Sequence, residues 1–157
     1  MDKVYIETSI PSFVVARPAS HIISAARQLL AIQWWQTARH QSQCFISDIV
    51  LLEASRGDQD AVEKRLNLLK GINRLPITEE ATNLSQTLLG RNTLPSKARE
   101  DSLHLSLAII HEMDLLLTWN CRHIANPTIL RQIRKVVGDL GLTMPEIATP
   151  EEVLGTA

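Results

Sequence analysis

The feature that most restricts this chain is a rhythm: short apolar runs of strand length alternate with longer stretches of helical spacing from one end to the other. That alternation predicts parallel strands joined by crossover helices, because a parallel pair cannot be closed by a tight hairpin. The expected class is α/β with a central parallel β-sheet. At 157 residues the chain suits one domain, spanning 1–157, and is long enough to bury a core without disulfides. Hydrophobic residues at 45% and charged residues at 21% argue against disorder or a low-complexity tail. Sixteen basic against seventeen acidic side chains give a net charge of -1, which excludes nucleic-acid capture by a broad basic face. Any such binding is local.

The opening MDKVYIETS has no charged-then-apolar signal pattern, and no apolar run approaches the roughly 18 residues of a membrane span. The expected location is the cytoplasm, with no membrane contact. Cys44 and Cys121 stand alone, without metal-ligand or redox spacing, and are expected to be buried free thiols.

Val4-Tyr5-Ile6 reads as the first strand and ends in Glu7-Thr8-Ser9. Pro11 and Pro18 are expected to keep the next segment out of a regular helix until Ser20 caps one. That helix runs to about His40, with Ile22, Ile23, Ala26, Leu29, Leu30 and Trp34 as its inward stripe. Cys44-Phe45-Ile46 is a second strand, followed by a short helix over Ile49 to Ala54 that ends at Gly57. Helices from Gln59 to Lys70 and Glu79 to Leu89, capped by Asp58 and Thr78, flank a brief strand at Arg74 to Ile77. A loop at Asn92 to Ser96 leads to a buried helix from Lys97 to Met113. Leu115 to Trp119 is the strongest strand and breaks off at Asn120-Cys121-Arg122-His123. A helix from Pro127 and a strand at Glu146 to Thr149 complete the pattern.

In open parallel sheets, ligands bind beyond the carboxyl ends of the strands. Glu7, Thr8, Ser9 and Asn120 occupy such ends, while Glu53 and Asp101 interrupt apolar helices that can pack on the same edge. Carboxylates gathered in apolar surroundings repel one another unless a cation sits among them, and oxygen donors alone suit magnesium or manganese. The matching chemistry is phosphodiester hydrolysis. Plainer uses stand beside this one: Asp101 also suits a helix N-terminus, Glu53 also suits a solvated face, and Glu7-Thr8-Ser9 also suits a turn. His104 and His111 read as hydrogen-bonded core histidines outside the site, and Trp34, Trp35 and Trp119 as core or interface. Trp34 and Trp35 mark their helix as the expected dimer contact. Arg122 and His123, with Lys97 and Arg99, are the basic residues placed to meet phosphates.

The segments Val4-Tyr5-Ile6-Glu7-Thr8-Ser9, Leu51-Leu52-Glu53-Ala54, Asp101-Ser102-Leu103-His104-Leu105 and Leu117-Thr118-Trp119-Asn120-Cys121-Arg122-His123 together resemble the PIN-domain family, closest to VapC-type toxins of toxin-antitoxin pairs. The resemblance runs over essentially the whole chain. It implies a three-layer α/β/α sandwich, a magnesium- or manganese-dependent endoribonuclease, RNA as substrate, an antitoxin protein as partner, and a homodimer. It places the family's acids on Glu7, Glu53, Asp101 and Asn120, the first three holding the metal, with Thr8 or Ser9 supporting the metal shell. The family normally has Asp where Glu7 stands and an acid where Asn120 stands; the second change should weaken a second ion most. The alternative is a catalytically weak or inactive PIN-like domain that binds RNA or protein as a regulator.

Overall fold

The computed structural model describes residues 1–91, 93–94 and 98–155. Asn92, Pro95, Ser96 and Lys97, within the expected loop and helix start, lie outside the described residues, as do residues 156–157. The strands are β1 (Lys3–Ile6), β2 (Gln43–Ser47), β3 (Asn73–Leu75), β4 (Leu115–Leu117) and β5 (Glu146–Ala148). All pairings are parallel, in the order β3-β2-β1-β4-β5. The chain therefore builds outward from β1 to β3, crosses back to lay β4 on the other side of β1, and finishes with β5. The point where the winding reverses falls between β1 and β4, and there the connections leave in opposite directions, the place where such sheets bind ligands. The two strands that frame it are the most apolar: Val4, Tyr5, Ile6, Leu116 and Leu117 are all buried. The α/β class, with helices layered on the sheet, is as expected.

The helices are α1 (Ser9–Val15), α2 (Ile22–Gln36), α3 (Asp48–Ala54), α4 (Gln59–Leu69), α5 (Glu79–Gly90), α6 (Arg99–Ile110), α7 (Pro127–Asp139) and α8 (Pro150–Leu154). Asp58 and Thr78 cap α4 and α5 as read from sequence, each accepting at 3.1 Å from the backbone N–H three residues on. Asn126 caps α7. Pro11 does not exclude helix, as had been expected; it lies in the first turn of α1, where a missing N–H costs nothing because that donor has no intrahelical acceptor. Ser20 is not a cap either, since α2 begins two residues later, after His21.

The buried face of α2 also differs from the periodicity. Ile22, Ile23 and Leu29 are exposed, whereas Gln28, Ala31, Trp34 and Trp35 are buried. Gln28 explains the rotation. Its amide donates to the Ala16 and Arg17 carbonyls at 2.5 and 3.3 Å, and its Oε1 accepts from Ala19 N at 3.2 Å. The irregular stretch before α2 thus finds backbone partners only when Gln28 faces inward. Trp34 and Trp35 then meet edge to face, with ring centroids 6.2 Å apart, inside the core. Their burial removes the reason for placing a dimer contact there. Cys44 is half-buried, but Cys121 is exposed rather than buried, because it sits on the turn that follows β4.

Candidate metal centre

Glu7 follows β1 directly, and its backbone N–H donates to the Leu117 carbonyl at 3.1 Å, extending the β1–β4 ladder by one bond. The chain then turns into α1, which folds the Glu7 side chain back over its own turn. Oε2 of Glu7 accepts from Ser9 N at 3.0 Å, from the Ser9 hydroxyl, and from Thr118 Oγ1 at 2.8 Å. Ser9 Oγ in turn accepts from Trp119 N at 2.7 Å, and Thr118 Oγ1 accepts from Asn120 N at 2.9 Å. The ends of β1 and β4 are stitched together by hydroxyls around one carboxylate oxygen. Glu7 is buried, with 5% of its surface exposed.

Glu53, on the last turn of α3, meets the same place from the neighbouring element. Its Oε1 accepts from Thr8 Oγ1 at 2.7 Å and from His104 Nε2 on α6. His104 is wholly buried, and its Nδ1 lies 2.7 Å from the Tyr5 hydroxyl, which is 2.7 Å from Ser47 Oγ. Burial alone pushes the Glu53 carboxyl up, but the hydrogen bond and charge of His104, helped by Thr8, bring it down to about 2. The same balance acts in reverse on His104: burial pulls its pKa down, and Glu53, Glu7 and Asp101 more than reverse that, leaving it raised. An ionised Glu53 can only accept, so Nε2 carries the hydrogen. Tyr5, which burial keeps protonated, donates to Nδ1 when His104 is neutral and accepts from it when it is charged.

Asp101 lies in the first turn of α6, one helical turn before His104. Its Oδ1 accepts from Asn120 Nδ2 at 3.0 Å, and its Oδ2 lies 3.0 Å from His123 Nδ1. Asn120 Oδ1 accepts from His123 N at 3.0 Å, closing a ring of Asp101, Asn120 and His123. Arg56, just after α3, grips Glu100 of α6 through two bonds of 3.0 and 2.7 Å, so the segments carrying Glu53 and Asp101 are tied together at the rim. Arg122 and Arg99 are exposed.

One carboxylate oxygen from each of Glu7 and Glu53 and one ring nitrogen of His104 lie within 4.8 Å of one another. His104 is a donor in that group rather than a ligand, since both nitrogens are already engaged and one must hold a hydrogen toward Glu53. The donor set left for an ion is hard oxygen: among the described residues neither Glu7 Oε1 nor Glu53 Oε2 accepts from a backbone N–H or a hydroxyl, and the Glu100 carboxyl stands beside Glu53. That chemistry fits magnesium or manganese. Asp101, read from the resemblance as a third metal ligand, is not in the close group and instead holds Asn120 and His123. Sequence reasoning left His104 out because a histidine on an apolar helix is usually a satisfied core residue. It is one, but its partner is Glu53. The signal available was its position three residues after Asp101, one turn along the same face. His111 bonds instead to the Pro76 carbonyl at 2.9 Å.

No protein-family model matches the chain, and no curated protein matches it. Among solved structures it is similar to VapBC2 from Rickettsia felis bound to a DNA fragment from their promoter. The TM-score is 0.52 at 16% identity, and the match covers 94% of this chain and 98% of that one. At that identity the likeness is one of fold: a five-stranded parallel sheet with helices layered on it.

Proposed function

We propose that the chain is a divalent-metal-dependent endoribonuclease of the VapC type. The observation that carries this reading is the approach of Glu7 and Glu53 within 4.8 Å at the switch point of a parallel sheet. Two such carboxylates in a largely buried setting are costly unless cations neutralise them. His104 supplies one positive group, and a bound magnesium or manganese supplies the other. When bound, such an ion acts as a Lewis acid and lowers the pKa of a water.

The reaction class is hydrolysis: a water oxygen bonds to phosphorus, the bond from phosphorus to the leaving ribose oxygen breaks, and that oxygen takes a proton. Within the chain, Ser9 and Thr118 fix Glu7, while Thr8 and His104 fix Glu53. Asp101 and Asn120 orient His123, whose Nε2 has no protein partner among the described residues, and in this reading it contacts a phosphate. Arg122, exposed on the same turn, adds local positive charge that the net charge of -1 does not supply. The partner we propose is an antitoxin protein, supported by analogy of fold with a VapBC complex. A homodimer belongs to the same reading.

The test is purified protein with RNA in magnesium or manganese, beside Glu53→Gln and Asp101→Asn. Cleavage by the wild type that both variants lose supports the reading; equal cleavage by all three points to a contaminant and ends it. One observation favours the weaker alternative. Asn120 presents an amide, not a carboxylate, and spends it on Asp101, so the fourth position adds no negative charge. RNA binding without cleavage in either metal would select that alternative.

A further inference from the structure

The two carboxylates of the proposed metal centre are each closed on one side. Glu53 Oε1 accepts from Thr8 at 2.7 Å and from His104, which occupies both of its lone pairs. Glu7 Oε2 accepts from Ser9 N at 3.0 Å, Ser9 Oγ and Thr118 Oγ1 at 2.8 Å. Apart from the half-buried Ser9, the donors are not surface groups that can turn to water. His104 and Thr118 are wholly buried, and Thr8 is nearly so. Freeing either oxygen would strand a buried donor, the arrangement proteins avoid most. Asp101 differs, since each of its oxygens accepts only once.

Calcium fills a shell of about six to eight oxygens and is commonly chelated by both oxygens of a carboxylate, whereas magnesium and manganese accept six ligands and keep several waters. We propose that Thr8 and His104 on Glu53, and Ser9 and Thr118 on Glu7, are the selectivity device of this site. By leaving each carboxylate one usable oxygen they prevent chelation and favour a small, six-coordinate, largely hydrated ion over calcium. The inference rests on the metal-dependent reading above and concerns which ion the site takes.

Calorimetric titration of the whole chain with manganese and, separately, calcium tests it without any activity measurement. The wild type should bind manganese at least about tenfold more tightly than calcium, since ligand number and rigidity set the discrimination. Thr8→Val and His104→Phe, alone and together, open Glu53 Oε1 and should narrow the ratio to about threefold or less, by strengthening calcium. Circular dichroism checks folding, and the conservative Thr8→Val keeps the test decisive when the larger change at His104 unfolds the chain. A ratio unchanged in Thr8→Val overturns the proposal, as does wild-type protein that binds calcium as tightly as manganese. Binding of neither ion brings down the metal-dependent reading itself, which separates the two failures.

Discussion

The two halves of the site are built on different principles. Around Glu7, Glu53 and His104 the histidine and Glu7 are buried while the Glu53 side chain is 20% exposed. The donors come from the turns after β1 and β4 and from α6, and the two carboxylates sit beside a histidine whose pKa is raised. Around Asp101, Asn120 and His123 the side chains are partly exposed, at 18% for Asp101 and 24% for His123, and the ring joins Asp101 of α6 to two residues of the turn after β4. Charge–charge attraction gains strength as water is excluded, and so does the penalty for leaving a charge alone. The inner half, whose donors His104 and Thr118 are wholly buried, should therefore tolerate change less than the outer half, whose His123 is 24% exposed. The comparison teaches that one carboxylate cluster can be supported in two ways, by buried donors around Glu7 and Glu53 and by an open ring around Asp101; in the proposed function the first holds an ion and the second meets substrate.

Glu53→Gln should break the inner half outright. RNA cleavage is expected to fall on the order of a thousandfold, with manganese affinity lost alongside it; a variant that keeps wild-type manganese affinity contradicts the division. Next in size, His104→Ala should destabilise the fold by about 3–5 kcal/mol, the cost of leaving one member of a buried ion pair alone. Urea denaturation reads this directly, and a loss below about 1 kcal/mol would mean that the pair is no more than a surface contact.

The same pair predicts a pH window. Glu53 is held at about 2, below its ordinary 4.5, so its contribution to stability is full above 4.5 and is lost as pH falls toward 2. His104 is raised above its ordinary 6.5, so its contribution is full below 6.5 and is lost as pH rises through the folded value. The stability gap between wild type and His104→Ala should thus be widest between 4.5 and 6.5 and shrink on both sides. A gap that stays flat from acid to alkaline pH removes the charged pair from the account.

Smaller effects sharpen the outer half. Asn120→Asp replaces the amide donor facing Asp101 with a second carboxylate, and should cost about 1–3 kcal/mol without metal and regain part of that when manganese is added. Denaturation with and without manganese measures both. His123→Ala, on the exposed side of the ring, should change stability by less than about 1 kcal/mol and weaken RNA binding in a filter assay instead. A large stability loss there would erase the difference between the halves.

Much of the frame was legible beforehand. The apolar run Leu115 to Leu117 and the alternating segments around it lead to a parallel sheet because an inner strand buried on both faces leaves no room for polar residues. The caps Asp58 and Thr78 were equally readable, since a helix start demands a local acceptor. The inward face of α2 was not. Ile22, Ile23 and Leu29 satisfy the spacing but lie outside, because the unpaired backbone at residues 16–19 drew Gln28 inward.

At the site, the residue types Glu7, Glu53, Asp101 and Asn120 stood out by interrupting apolar segments or ending strands, which is local information. Who meets whom was not local. His104 looked like any core histidine, and Asp101 like a metal ligand, until the packing of α3 against α6 set His104 on Glu53 and turned Asp101 toward Asn120 and His123. The sequence by itself determined the parallel α/β frame and the polar ends of its two central strands, since both follow from periodicity within short windows. Only the tertiary structure decided how the acids pair, because each partner comes from a distant segment and burial fixes both its donors and its charge.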